Sequence, residues 1–433
     1  MEFLSIIAGI ALLLILVTGI KMDTFISFML VCLFVGLIEG LSIQDSFAAI
    51  QTGIGNTMGG LVIILGLGAM LGKLVAESGA AQGITDSLVA TFGIKRVQLA
   101  LMTTGFIVGI PMFYTVGFVI LVPFAITIAH NTKLSLLYVG LPMLASLSVT
   151  HGFLPPHPAP TAIAEMYGAD IGLTLIYGMI VGVPAILLAR WLLMPTMKKI
   201  VPTPSKEFAP SDVSQEFKVP GLTISFVIAL LPVILIGGSS LLGLIIDSQV
   251  VASIGNPAMA MLISVLAATY FLGVRTGRNP QQVVKLLHVA VSGVAVVLLI
   301  IAGAGALKEI LIVTGISERL GDTLGALGWS PLILAWTVAA IMRVSVGSAT
   351  VAGLTAAGIM MPLVESSGVA PELMVLATGA GSIMLSHVND GGFWLFKEYF
   401  NMSIADTLRS WTLMESIVSV SGLIGAIILN LIL

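Results

Sequence analysis

The sequence predicts an all-α polytopic membrane protein built as two inverted-topology repeats, with about ten transmembrane helices, two re-entrant hairpins and two interrupted helices. Three observations lead there. Only 9% of the 433 residues are charged and 58% are hydrophobic, against roughly 25% charged in a soluble domain. Apolar segments of about 20 residues recur along the whole chain, each enough to cross a hydrocarbon core of about 30 Å, whereas a β-barrel would show short alternating segments. Landmarks of the first half return in the second at one constant separation: Gly79 with Gly315, Asp86 with Asp322, Gly117 with Gly353, His151 with His387, and Asp170 with Asp406. Such a spacing signals a duplication.

Spans are expected near 3–20, 24–40, 57–76, 134–166 (interrupted), 171–194, 221–243, 255–273, 286–306, 372–400 (interrupted) and 411–432. The first, FLSIIAGIALLLILVTGI, has no basic flank ahead of it and no small-residue cleavage site behind it, so it reads as a retained span. Two apolar stretches remain, 99–129 and 331–364. Each is too long for one comfortable span and too short for two, and each breaks near its middle, at GIPMFYTVG (109–117) and RVSVGSATVAG (343–353). Both read as re-entrant hairpins. With the hairpins non-crossing and both termini outside, Lys308 and Arg319 are the only basic residues of the 18 placed outside, Arg343 sits at a hairpin tip, and the others lie at the inner side. That is a strong positive-inside bias. Each half then holds five crossings, and an odd number turns the copies opposite ways, as in secondary transporters. The first repeat covers 1–197, with its hairpin near 99–129 and broken helix near 150–160; the second covers 221–433, with its hairpin near 331–364 and broken helix near 386–392. Pro, Ser and mixed charge make 198–220 a cytoplasmic linker.

Composition also sets exclusions. Cys32 is the single cysteine, which leaves no disulfide framework and no cysteine-based metal site. A net charge of −3 does not suggest a nucleic-acid partner. There is no P-loop for ATP drive, and neither HExxH nor a GxSG serine for an intramembrane hydrolase. The Gly-x-Gly pairs at 66–68 and 303–305 suit close helix packing. No cofactor or metal is expected, and the chain reads as a carrier rather than an enzyme or a passive channel.

Polar residues interrupt the oily segments where an unpaired group costs several kcal/mol. In SHVNDGG (386–392), Gly391 and Gly392 are expected to let the helix unwind around Ser386, His387, Asn389 and Asp390. In THGFLPPHPAP (150–160), Pro155, Pro156, Pro158 and Pro160 force a break, with Thr150, His151 and His157 in it. Helix starts after each break offer free N–H groups and a positive dipole end to a carboxylate. The tip at 347–350 adds the Ser348 and Thr350 hydroxyls beside Gly347. Arg343 could grip an anion in a bidentate fork or pair with a carboxylate such as Asp390. Asp390, His387 and His151 are candidates for proton coupling, and the histidines could instead cap broken helix ends. Lys308 and Glu309 suggest an interfacial ion pair.

LSVTHGFLPPHPAPTAIA (147–164), GSATVAGLTAAG (347–358) and SHVNDGGFWLFKEYF followed by TLRSWTLMESI resemble the gluconate:proton symporter (GntP) family, within the larger ion transporter superfamily. The likeness runs from the first span to the last. It implies import of a sugar acid such as gluconate across a bacterial inner membrane with protons, by a homodimer whose transport domain moves like an elevator against a fixed scaffold. A carrier for another small hydroxy or amino acid, such as D-serine or glycerate, is the alternative. The implied site comprises Gly109, Pro111, Tyr114 and Thr115 of the first tip, Thr150, His151 and His157 of the first break, Arg343, Gly347, Ser348 and Thr350 of the second tip, and Ser386, His387, Asn389 and Asp390. Thr115 stands where many members have Glu, Ala159 where Gly is usual and Gly391 where Pro is usual. Glu165 is a candidate to compensate for the missing acid.

Overall fold

The computed structural model describes residues 4–200, 202, 217–243, 245–316, 319 and 328–433. Every regular element among them is helical. The first half holds α1 (Leu4–Leu14, continued by a π turn), α2 (Thr24–Ile38), α3 (Ile43–Glu77), α4 (Ala80–Phe92), α5 (Val97–Gly109), α6 (Tyr114–Thr132), α7 (Leu136–Phe153), α8 (Pro158–Tyr167) and α9 (Ile171–Leu193). The second holds α10 (Leu222–Gly243), α11 (Gln249–Gly255), α12 (Pro257–Ala268), α13 (Pro280–Val313), α14 (Pro331–Val346), α15 (Ala349–Ser366), α16 (Pro371–Ser382), α17 (Gly391–Phe400), α18 (Ile404–Thr407) and α19 (Leu413–Ile432). Eight of the described helical segments, counting α7–α8 and α18–α19 each as one, are long and apolar enough to cross a membrane. The chain is a multi-pass membrane protein. Most of the predicted linker, and the repeat landmark Asp322, lie outside the described residues.

Local chemistry sets the ends. Ser42 accepts from the Asp45 N–H at 3.0 Å, and Asn279 with Gln282 forms a capping box, so α3 and α13 start well before the predicted spans at 57 and 286. At 35 residues and 1.5 Å per residue, α3 is about 52 Å long. It runs antiparallel to α13, since Gly53 packs on Gly305 while Ala69 clusters with Ala290 and Val294. A methyl group on Gly305 would reach Thr57 Cβ at 2.6 Å, and one on Gly303 would reach Phe28 Cβ at 2.8 Å. The 303–305 pair therefore serves close packing, as expected. At 66–68 the fit is looser, with open space beside Gly66.

The core centres on α7, which is buried along nearly its whole length. α5 and α9 pack on it, α16 crosses it where Gly379 meets Gly152, and α19 closes on Phe153 through Gly422. Large apolar side chains such as Ile180, Leu187 and Val296 face outward, as lipid contact requires. His130 and His288 are exposed. Lys308 Nζ donates to the Met166 carbonyl at 3.1 Å, a cation at the C-terminal end of α8 where the dipole favours it, rather than serving simply as the predicted partner of Glu309.

Outside the spans, Glu39 ties the first two helices to the segment after α13. Ser5 Oγ donates to it at 2.5 Å and Arg319 Nη2 at 2.6 Å. The Ser5 hydroxyl chiefly, and Arg319 in addition, hold its carboxyl below the usual glutamate value of 4.5. A depressed carboxylate gives stability that is complete above its unfolded value and is lost as pH falls through the folded one. Glu39→Gln is expected to lower thermal stability at pH 7 by less than about 1 kcal/mol, because Arg319 is solvent-accessible. The difference should shrink below pH 4 in melts followed by tryptophan fluorescence.

Candidate functional site

Two helix pairs and two broken helices meet at one cavity. α5 and α6 join through residues 110–113, α14 and α15 through 347–348, α7 and α8 through 154–157, and α16 and α17 through 383–390. The cavity has a volume of about 800 Å3 and is partly open. Its wall includes the first residues of α6 (Tyr114, Thr115, Val116), α8 (Pro158), α15 (Ala349, Thr350) and α17 (Gly391, Gly392). Four helix N-termini thus face one cavity, and their dipoles favour negative charge there. They are not equivalent. Ser348 caps α15 and Asp390 caps α17 through their side chains, whereas Phe113 before α6 and His157 before α8 make no side-chain cap. The first turn of α8 carries Pro158 and Pro160, which lack N–H groups. α6 therefore offers the most open set of backbone donors.

The sequence-expected breaks are present, but their residues divide differently. Leu154 precedes Pro155 and adopts extended backbone, as a residue before proline prefers, so α7 runs through His151 to Phe153. His151 lies in the last helical turn rather than in the break. The Pro155–Pro156 peptide is cis, and Pro158 and Pro160 open α8. In the second half, Gly391 and Gly392 start α17 behind the Asp390 cap instead of unwinding it. The unwound segment is 383–390, with Leu385 held at a φ of 48°, a conformation uncommon for a branched side chain.

Arg343 is 4% exposed and knits the second tip to the second break. Its Nη2 donates to Asp390 Oδ2 at 2.5 Å and its Nη1 to the Gly347 carbonyl. Of the two sequence readings of Arg343, the pair with Asp390 is the one made. Asp390 also accepts from the Ser386 hydroxyl and, at 3.0 Å, from the Gly392 N–H. Ser386 in turn accepts from Trp411 Nε1 at 2.8 Å. Trp411 sits in the π turn between α18 and α19, against Phe396 at 5.3 Å and Tyr114 at 6.1 Å between ring centroids.

Nine of the residues singled out from the sequence line the cavity: Tyr114, Thr115, His151, Arg343, Gly347, Ser348, Thr350, Asn389 and Asp390. The other six stand behind it. Gly109 gives its carbonyl to His157 Nε2 at 2.9 Å and packs on Thr150, whose hydroxyl donates to Leu147 at 2.9 Å. Pro111 packs against Gly72, and Ser386 orients Asp390. His387 turns its Nε2 to the Val344 carbonyl at 3.2 Å, beside Asn389 Nδ2 at 2.8 Å, so it supports the tip and leaves the cavity wall to others. Glu165 is exposed and faces Gly60 on α3, remote from Thr115. Lys73, Ser148, Trp411 and Glu415 line the cavity without having been singled out. For Glu415 a signal existed, a carboxylate within the apolar final span.

A buried polar atom without a partner calls for an explanation. Arg343 Nε, His151 Nδ1 and Tyr114 Oη are buried at the wall and make no hydrogen bond. The arrangement can hold an anion rich in hydroxyls: helix starts for the charge, side-chain donors and acceptors for the rest. Among the described residues no cluster of His, Cys, Asp or Glu could hold a metal ion.

The model of the GntP family permeases matches residues 1–432. The chain belongs to the GntP permease family. Among relatives of this permease, the Gnt-II system L-idonate transporter of Escherichia coli (strain K12) is 44% identical over 438 residues, covering 100% of both chains. The gluconate permease of Bacillus subtilis (strain 168) is also 44% identical with 100% of both chains covered. Family membership makes the chain a membrane permease and not an enzyme. Among solved structures, the Alcanivorax borkumensis YdaH transporter superposes with a TM-score of 0.66 at 17% identity, over 94% of this chain and 97% of that one. Neisseria gonorrhoeae MtrF gives 0.60 at 17% identity, with 94% of each chain covered. At that identity the likeness speaks for the fold alone.

Proposed function

We propose that this permease imports a sugar acid such as gluconate across a bacterial inner membrane by proton symport. The observation that carries the reading is the convergence of four helix starts and three unpartnered buried polar groups on one cavity, whose size falls within the range of small-molecule sites. The carboxylate sits at the open N-terminus of α6, and the polyol chain lies along Thr115, Ser348, Thr350 and Asn389. Relatives named for gluconate and L-idonate at 44% identity favour this over D-serine or glycerate.

In this reading the halves are inverted repeats, at 1–197 and 221–433, with two re-entrant hairpins and both termini outside. The recurring order of a helix pair, a broken helix and a long span, and the antiparallel course of α3 and α13, support it. The cavity lies between the α3–α13 wall and the hairpins with the broken helices. Ala69, Gly72, Ala290 and Gly293 make that wall smooth, which suits an elevator: the polar elements carry the substrate past a fixed α3–α13 scaffold within a lipid-embedded homodimer.

Proteoliposomes holding the full chain are expected to accumulate labelled gluconate several-fold when the outside is acidic, with L-idonate competing and a protonophore collapsing the gradient. Equal uptake with and without the proton gradient would remove symport. Transport of D-serine or glycerate with indifference to gluconate would overturn the substrate class.

A further inference from the structure

We propose that Glu415 is the proton carrier of the transport cycle, accepting a proton from water on the outer side when substrate loads and releasing it to water on the inner side. This inference rests on the symport reading and names the group that serves it. Glu415 lies in the first turn of α19, is 3% exposed and lines the cavity. It accepts a hydrogen bond from the Ser148 hydroxyl of α7, itself 2% exposed. Within the charged wall of the cavity, Arg343 is committed to Asp390 and to the Gly347 carbonyl, so no guanidinium fork is left for a second carboxylate.

The charges facing Glu415 from the surrounding elements are few. Tyr114 comes from α6, His151 from α7, Arg343 from α14 and Asp390 from the break before α17, with Lys73 of α3 also on the cavity wall. Lys73 is paired with Glu77 at 2.7 Å. The titratable groups of the long helices packed on α19 stand off the cavity: Glu372 of α16 accepts from the Asp170 N–H at 2.9 Å and Arg190 of α9 donates to Gln98 at 2.7 Å. Charge balance follows. Arg343 offsets Asp390 and Glu77 offsets Lys73, so with Asp390 charged these groups together are neutral only when Glu415 holds a proton. An anionic substrate entering the same cavity would sharpen the conflict with a bare Glu415, and anion and proton then bind together by linkage. Ser148 can donate to the charged carboxylate or accept from the acid, so the same position serves both states.

The test compares wild type, Glu415→Gln and Glu415→Asp, each as full chain in proteoliposomes. Two readouts are used: exchange of labelled for unlabelled gluconate at equal pH on both sides, and substrate-induced proton movement followed by a trapped pH dye under an acidic outside. Glu415→Gln is expected to retain exchange, slowed by up to about tenfold and no longer dependent on pH between 6 and 8, while accumulation and the dye signal fall more than 20-fold. Glu415→Asp should keep both within a few-fold. Accumulation and dye signal in Glu415→Gln at wild-type level would overturn the assignment. So would loss of exchange in that variant through a raised KM, which would make Glu415 a substrate contact. A wild-type protein that moves gluconate without protons would instead sink the symport reading on which the assignment stands.

Discussion

Asparagine at position 390 is expected to abolish gradient-driven accumulation and to lower the amount of folded protein, the largest effect of any single isosteric change in this chain. Asp390 ends three interactions at once: the Arg343 ion pair, the Ser386 hydroxyl and the Gly392 N–H. Arg343 is almost wholly buried, so an amide beside it leaves a guanidinium without its counter-charge. Breaking a buried pair from one side costs about 3–5 kcal/mol, whereas replacing both members is often close to neutral. The double variant Arg343→Gln with Asp390→Asn is therefore expected to recover the thermal stability and the monodisperse yield that the single variant loses, without recovering uptake. Stability would be followed in detergent by tryptophan fluorescence, and uptake in proteoliposomes. A single variant that accumulates gluconate as wild type does would remove Asp390 from the mechanism. A double variant no more stable than the single one would show that the ion pair is not what holds the tip to the break.

The fold could be read far into the sequence because a bilayer leaves so few choices. Backbone groups in lipid must be paired within the element, so apolar length predicts helices, and the prolines at 155–160 and the polar run at 386–390 could only be interruptions. What failed was the side of each interruption on which a residue falls. The proline run suggests that His151 lies in the break, yet a proline disturbs the residue just before it and leaves the helix intact up to Phe153. Gly391 and Gly392 suggest unwinding, yet an aspartate immediately ahead of them is a helix-start signal, and Asp390 does cap α17.

The candidate site was legible where its residues share a motif and hidden where they come together from afar. Ser348, Thr350, Asn389 and Asp390 sit in two short runs, and all four line the cavity. Glu415 meets Ser148 across 267 positions of chain, a partnership that no local pattern shows. Glu165, the candidate to compensate for the missing acid, is exposed and faces α3 instead. The capped starts of α3 and α13 were missed for a different reason. Polar caps at Ser42 and Asn279 lie beyond the apolar windows that define a span, so hydropathy marks the buried middle of such a helix and not its ends.

Alanine at Gly347 is expected to cost nearly as much transport as asparagine at 390, by a purely backbone route. Gly347 joins α14 to α15 at a φ of 80°, in the left-handed region where a Cβ adds roughly 1–2 kcal/mol. The added methyl would also lie 2.7 Å from the Asn389 carbonyl carbon, backbone against backbone, so the 383–390 segment has to move away. Moving it pulls Asp390 from Arg343, which is left with the Gly347 carbonyl alone. The two helices on either side keep their caps and packing, so the protein should still fold, with a melting temperature a few degrees lower and gluconate uptake reduced more than tenfold. Gly59→Ala on α3 is the matched control: its Cβ meets nothing within 4 Å, and removing a glycine from a helix interior stabilises by roughly 0.5–1 kcal/mol. Wild-type uptake in Gly347→Ala would mean that the tip and the break are free to separate, and the cavity wall would then not depend on their contact.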